Sequence, residues 1–163
     1  MGQELLKRSS QEITPLWSTQ VMIDEPEIVR DLHADFIRAG ARVISLNSYT
    51  MTPERLARDG NINDFQKLQL AAVNAATSAR DRVAISGVKI AGCLPPLVAS
   101  YKAEVAPEYE SMLTSYSKIV AIQAPHVDLF LCETMSSIAE AKAALVAAKK
   151  SGLPVWVSLT IED

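Results

Sequence analysis

The stretch VDLFLCETMSSIAEAKAALVAAKKSGLPVWVSLTI, residues 127–161, decides the fold class. From Val127 to Cys132 it is a short, nearly continuous apolar run, the pattern of a strand covered on both faces. Ser137 followed by Glu140 has the spacing of a capping box at a helix N-terminus. Ile138, Ala141, Leu145 and Ala148 then fall on one helical face, and Lys149, Lys150 and Gly152 supply a C-terminal stop. Pro154 introduces a second apolar run, VWVSLTI. Strand, helix and strand in so short a stretch make a parallel βαβ unit, because the helix carries the chain back to the same end of the sheet.

Working outward, the same unit repeats. Asp24 with Glu27 has the capping-box spacing, and Pro26 suits a first helical turn. Ile28, Val29, Leu32, Phe36 and Ile37 form the apolar face, and Gly40 is the stop. Ala41–Asn47 is the next predicted strand. Thr52-Pro53-Glu54 opens a short helix broken at Gly60, and an alanine-rich helix follows over about 63–80. Val88–Cys93 is a further strand, ended by Pro95-Pro96. A helix with Pro107 in its first turn then runs to about Ala124.

The predicted class is therefore α/β, with about four parallel strands alternating with helices. A doubly wound sheet and a barrel share this pattern. The strand ends read Asn47, Cys93, Glu133 and Thr160-Ile161-Glu162, and polar or reactive groups there favour the barrel, whose functional face is built from strand C-termini. No GxGxxG or GxxxxGK[ST] stretch supports a nucleotide site. A parallel sheet must be closed or covered, so further strands are expected beyond Asp163.

Composition excludes several classes. Of 163 residues, 48% are hydrophobic and 21% charged, with net charge −3. Lys and Arg are scattered, so no nucleic-acid partner is expected. No apolar run approaches a membrane span, and the first residues, MGQELLKRSS, do not read as a secretory signal. Cys93 and Cys132 are too few for a disulfide framework, and a reduced, cytoplasmic setting is expected. Two cysteines cannot complete a zinc site alone, and His33 and His126 are far apart in sequence.

The blocks MGQELLKR (1–8), LWSTQVMIDEPEIVRDLHADFIRAGARVISLNSYT (16–50), TPERLARDG (52–60), KIAGCLPPLVASY (89–101) and DLFLCETMSSIAEAKAAL (128–145) together resemble the homocysteine S-methyltransferase family. That family includes betaine– and S-methylmethionine–homocysteine methyltransferases and the homocysteine domain of methionine synthase. The resemblance implies a (β/α)8 TIM barrel, with residues 1–163 as its N-terminal part and the visible strands as roughly the second to fifth. It implies homocysteine and a methyl donor as partners, and a zinc ion whose three cysteine thiolates activate the homocysteine sulfur. A free thiol, with pKa of roughly 8.5, is mostly protonated at neutral pH.

The family's Asp-Gly-Gly would fall just before Met1, and its zinc-binding cysteines beyond Asp163. Cys93 and Cys132 match neither, so no metal ligand is expected in this chain, and the chain alone is expected to be inactive. By the same resemblance, Glu133 matches the acidic residue that holds the homocysteine ammonium. Asn47 matches a polar strand-end residue, while Tyr49 and Trp17 match pocket aromatics of the betaine-using branch.

Plainer readings compete. Glu133 suits a helix N-terminus, Asn47 a turn, and Trp17 and Tyr49 a core or rim. The cysteines read as small buried hydrophobes, His33 as a packing or solvent-facing residue, and Arg30, Asp31, Asp35 and Arg38 as a solvated face. An alternative of a different class is a non-enzymatic half-barrel that self-associates or pairs with another chain to cover its edges.

Overall fold

The computed structural model describes residues 1–161, so Glu162, named above at a strand end, lies outside the described residues. Helices α1 (Gly2–Arg8) and α2 (Ser18–Asp24) lead into α3 (Pro26–Arg38), followed by β1 (Val43–Ser45). The chain continues through α4 (Pro53–Asp59), α5 (Phe65–Val83), β2 (Lys89–Leu94), α6 (Tyr109–Gln123), β3 (Leu129–Met135), α7 (Ile138–Lys149) and β4 (Val155–Leu159). All strand pairs are parallel, and the spatial order β1-β2-β3-β4 follows the chain. Successive helices pack on one another, α3 on α5, α5 on α6 and α6 on α7. Strands laid down in sequence behind one layer of helices are a segment of barrel wall, as expected; a doubly wound sheet reverses its strand order and carries helices on both faces.

The register fixes which side chains meet the helices. Ile44 pairs with Ile90, and Gly92 with Phe130. Phe130, Cys132 and Leu94 join Tyr116, Ile119 and Ala144 in one buried cluster, while Ile44 and Ile90 join Val29, Leu32 and Ala76 in another. Gly92 is required by the first: a Cβ there would lie 2.6 Å from the Phe130 ring and 2.7 Å from Gln123 Oε1. Alternation places Cys93, Leu131 and Trp156, which are register partners, on the opposite, barrel-interior face.

Several local expectations are corrected. The sequence reading did not anticipate α1 or α2. Asp24 is not the cap of α3 but the last residue of α2, where it accepts from Gln20 Nε2 at 2.7 Å. Glu25 occupies the cap position, and its carboxylate is taken by the hydroxyls of Ser9 and Ser10. Pro26 begins α3 and Gly40 (φ +108°) follows it, both as expected. Pro107 lies before α6, whose cap position is Glu108. Ser137 caps α7 by accepting from the Glu140 N–H at 3.4 Å, but the Glu140 carboxylate does not turn back to complete a box.

The Glu140 side chain instead points inward, where Oε1 accepts from the Leu97 N–H at 2.8 Å and the Tyr116 hydroxyl at 3.2 Å. Ile138, expected on the apolar face of α7, is exposed. Arg30, Asp31, Asp35 and Arg38 do more than face solvent. Asp31 bridges to Arg82 of α5 at 2.8 Å, and Asp35 to Arg8 of α1 at 2.7 Å, tying three helices together at the surface.

β4 pairs only with β3 among the described strands. It leaves Trp156, Val157 and Leu159 about half exposed. Among the described residues, no helix is long and apolar enough to cross a membrane.

Candidate functional site

A cavity of about 560 Å³ opens at the C-terminal ends of the strands. Its wall is built from β1 and the turn after it, the first turn of α4, the loop after β2, the end of β3 and the N-terminal segment. Trp17, Asn47, Tyr49 and Glu133, the four residues singled out in the sequence, all line it.

Glu133 is aimed by a distortion of its strand. The β3–β4 register slips between Cys132 and Met135, and Thr134, inside the slip, takes a left-handed backbone (φ +61°). Such bulges re-aim side chains and recur beside functional sites. The carboxylate is mostly buried, and Oε1 accepts a hydrogen bond from the Cys93 thiol at 3.0 Å. Burial pushes its pKa above the ordinary carboxylate value; the Cys93 hydrogen bond and the chain's N-terminal ammonium pull the other way. On the thiol, burial and the adjacent Glu133 act together and push its pKa well up, so Cys93 stays protonated and remains the donor. The helix-terminus reading does not describe this carboxylate: it lies within β3, ahead of Ser137 and α7.

Asn47 is buried and donates from Nδ2 to the Ser18 carbonyl at 3.1 Å, tying the end of β1 to α2. Its Oδ1 has no hydrogen-bond partner among the described residues. Tyr49 is half-buried, with its hydroxyl 2.7 Å from Ser100 Oγ. The Trp17 ring meets Tyr49 edge to face, with centroids 6.2 Å apart. Trp17 is itself in an unusual backbone state (φ +51°), and its indole lies on Gly2, where a Cβ would come within 2.2 Å. Trp17, Thr134 and Tyr101 (φ +61°) are three of the four non-glycine residues with positive φ among those described, and all three line this cavity. Strain of this kind persists only where surrounding structure holds it, and it concentrates at functional sites.

The sequence reading missed Arg55, Tyr101, Thr134 and the partnership of Cys93 with Glu133. Arg55 was visible only as a residue of a short helix, and nothing in its spacing distinguishes a buried guanidinium from a solvated one. Cys93 is buried, as expected, but also touches the site. Cys132 packs in the apolar cluster, where burial raises its pKa to about 12. His33 is buried on α3 away from the cavity, and His126 is exposed in the turn before β3. Among the described residues, no group of three His, Cys, Asp or Glu side chains converges on a point where a metal would bind.

The chain is an α/β barrel segment with a carboxylate, a guanidinium and three aromatic rings around one strand-end cavity. Comparison with known proteins narrows this. The sequence profile of the homocysteine S-methyltransferase family matches residues 1–163, and the chain belongs to that family. It is 29% identical to homocysteine S-methyltransferase of Escherichia coli over 184 aligned positions, covering 100% of this chain and 57% of that relative. It is 30% identical to betaine–homocysteine S-methyltransferase 1 of Mus musculus, covering 89% of this chain and 35% of that relative. Its structure resembles that of the E. coli homocysteine methyltransferase MmuM in its metallated form. The TM-score is 0.88 at 25% identity, over 100% of this chain and 62% of that one. The chain thus spans about half the length of the curated relatives from bacteria and plants that it matches, and less of the animal ones.

Proposed function

We propose that the complete protein transfers a methyl group to the sulfur of homocysteine, giving methionine, and that this chain carries the amino-acid side of the site. The observation that carries the reading is Glu133, a mostly buried carboxylate aimed by a bulge into a cavity at the strand C-termini. Ionised, it matches an ammonium group in charge and as a hydrogen-bond acceptor, so it fixes a ligand's orientation as well as its position. Asn47 Oδ1 adds an acceptor, and Trp17 and Tyr49 give an apolar wall for the carbon chain and the methyl group in transit.

The reaction needs a sulfur lone pair directed at the donor's methyl carbon. An S–C bond forms as the donor–methyl bond breaks, its electron pair stays with the donor, and the thiol proton is lost. Zinc, expected from the family, would make the thiolate available. The described residues do not fit it: Cys93 is engaged with Glu133, and Cys132 packs in the apolar cluster. What these residues supply is binding, orientation and exclusion of water. A reduced, cytoplasmic setting belongs to the same proposal and is supported by two unpaired buried cysteines.

Incubating this chain with zinc, homocysteine and betaine or S-methylmethionine tests the division of labour. Homocysteine binding without turnover is expected; methyl transfer by this chain, or no homocysteine binding at all, overturns it. One observation favours a second, non-enzymatic reading. The half-exposed Trp156, Val157 and Leu159 on β4, an edge strand among the described residues, are suited to being covered by another copy or chain. A strictly monomeric mass across the micromolar range contradicts that reading.

A further inference from the structure

Arg55 is a buried cation without an anion. It is 8% exposed, and among the described residues no carboxylate lies within ion-pair distance of it. The acidic groups around it act on it only at a distance and bond to other partners, although the second Glu54 oxygen, Oε2, is buried without one. Asp59 pairs with Arg58 at 2.6 Å, Glu54 accepts from Ser115 Oγ at 2.5 Å, and Glu140 accepts from the Leu97 N–H at 2.8 Å. Arg55 makes one side-chain hydrogen bond, from Nη2 to the Pro96 carbonyl at 3.2 Å; Nε is buried without a partner. The guanidinium carbon lies 5.5 Å from the centre of the Tyr49 ring.

Taking a charge out of water with so little compensation is unfavourable. Arg55 nevertheless lines the same cavity as Glu133. The two are not paired with each other, and Tyr49 lies close enough to feel both charges. One cavity offering a guanidinium and a separate carboxylate, neither in a salt bridge among the described residues, suits a ligand that carries both charges. The guanidinium fork matches a carboxylate in shape as well as charge.

We infer that Arg55 anchors the carboxylate of a zwitterionic ligand whose ammonium is taken up elsewhere in the cavity. The inference rests on the amino-acid-binding reading above and adds a residue to it. The carboxylate has two possible sources, homocysteine and a zwitterionic methyl donor such as betaine. A purely structural Arg55, tethering the Pro96 loop, would affect all ligands alike.

Calorimetric titration of the chain with two ligand pairs tests this. One pair is L-homocysteine and 3-aminopropane-1-thiol, the same molecule without its carboxylate. The other is glycine betaine and tetramethylammonium. Wild-type chain is expected to prefer the carboxylated member of at least one pair by about tenfold, and that pair identifies the source. Arg55→Met is expected to abolish the preference without weakening the carboxylate-free cation, which no longer meets a like charge, and Arg55→Lys to restore part of the preference. Should Arg55→Met not fold, Arg55→Lys decides, by weakening only the carboxylated ligand.

A preference that survives Arg55→Met, or equal weakening of both members of a pair, overturns the assignment. Homocysteine binding by wild type with no preference over the amine, and none within the betaine pair, removes Arg55 alone and leaves the ammonium site standing. No binding of any of the four ligands removes the amino-acid pocket itself, and Arg55 with it.

Discussion

The Cys93 thiol donates to Glu133 Oε1 across 3.0 Å, joining β2 to β3 behind a carboxylate that lines the cavity. The contact makes the cysteine a positioning residue: it holds one carboxylate oxygen and favours the ionised form that an ammonium ligand needs. Cys93→Ala is expected to raise the Glu133 pKa further and weaken homocysteine binding at acidic pH by about threefold to tenfold. Affinity should converge on wild type as pH rises, and Cys93→Ser, which keeps a donor, should resemble wild type. Calorimetric affinity against pH checks this; an unmoved midpoint in Cys93→Ala assigns the cysteine to packing alone.

Glu140 is expected to hold the loop behind Arg55. Its carboxylate receives the Leu97 N–H, while the neighbouring Pro96 carbonyl receives Arg55 Nη2. Glu140→Ala strands a buried N–H and should destabilise the fold by about 2–3 kcal/mol, whereas Glu140→Gln, which keeps an acceptor, should cost about 1 kcal/mol or less. Urea unfolding midpoints at constant slope distinguish these values.

Burial of His33, with no partner for Nε2, lowers its pKa from 6.5 to about 4. Between those values the unfolded chain binds the proton and the folded chain does not. Stability from this group is therefore complete above about pH 6.5 and falls as pH drops toward 4. Glu133 and Glu140, with raised pKa values, act in the opposite sense over part of that window. The difference between wild type and His33→Leu isolates the histidine. Its contribution should shrink by up to roughly 3 kcal/mol on acidification, and chemical unfolding at a series of pH values measures it.

The strands and the long helices were legible because burial writes them into sequence. LFLC, KIAGC and VWV are apolar runs, and Gly40 and Gly152 mark helix stops that need a left-handed backbone. The short helices α1 and α2 were not legible. Their buried residues, such as Leu5, Val21 and Met22, are few, and their ends lack side-chain caps. Asp24 and Glu27 gave a capping signal because spacing alone cannot show that the chain turns at Glu25, which is held by Ser9 and Ser10 from a distant segment. The same limit applies at the site. Strand ends and the family pattern pointed to Glu133, Asn47, Tyr49 and Trp17, and folding brings them to one cavity. The burial of Arg55, the bulge at Thr134 and the reach of Glu140 to Leu97 depend on segments far apart in the chain and have no local signature.

The most direct test of the account is calorimetric titration of L-homocysteine into wild-type chain and Glu133→Gln near neutral pH. The amide keeps the shape of the carboxylate and the acceptor for Cys93 but removes the charge. The account predicts measurable binding by wild type and at least about tenfold weaker binding by Glu133→Gln, with both proteins equally folded. Equal affinity in the two would contradict the assignment of Glu133 to the ligand's ammonium group.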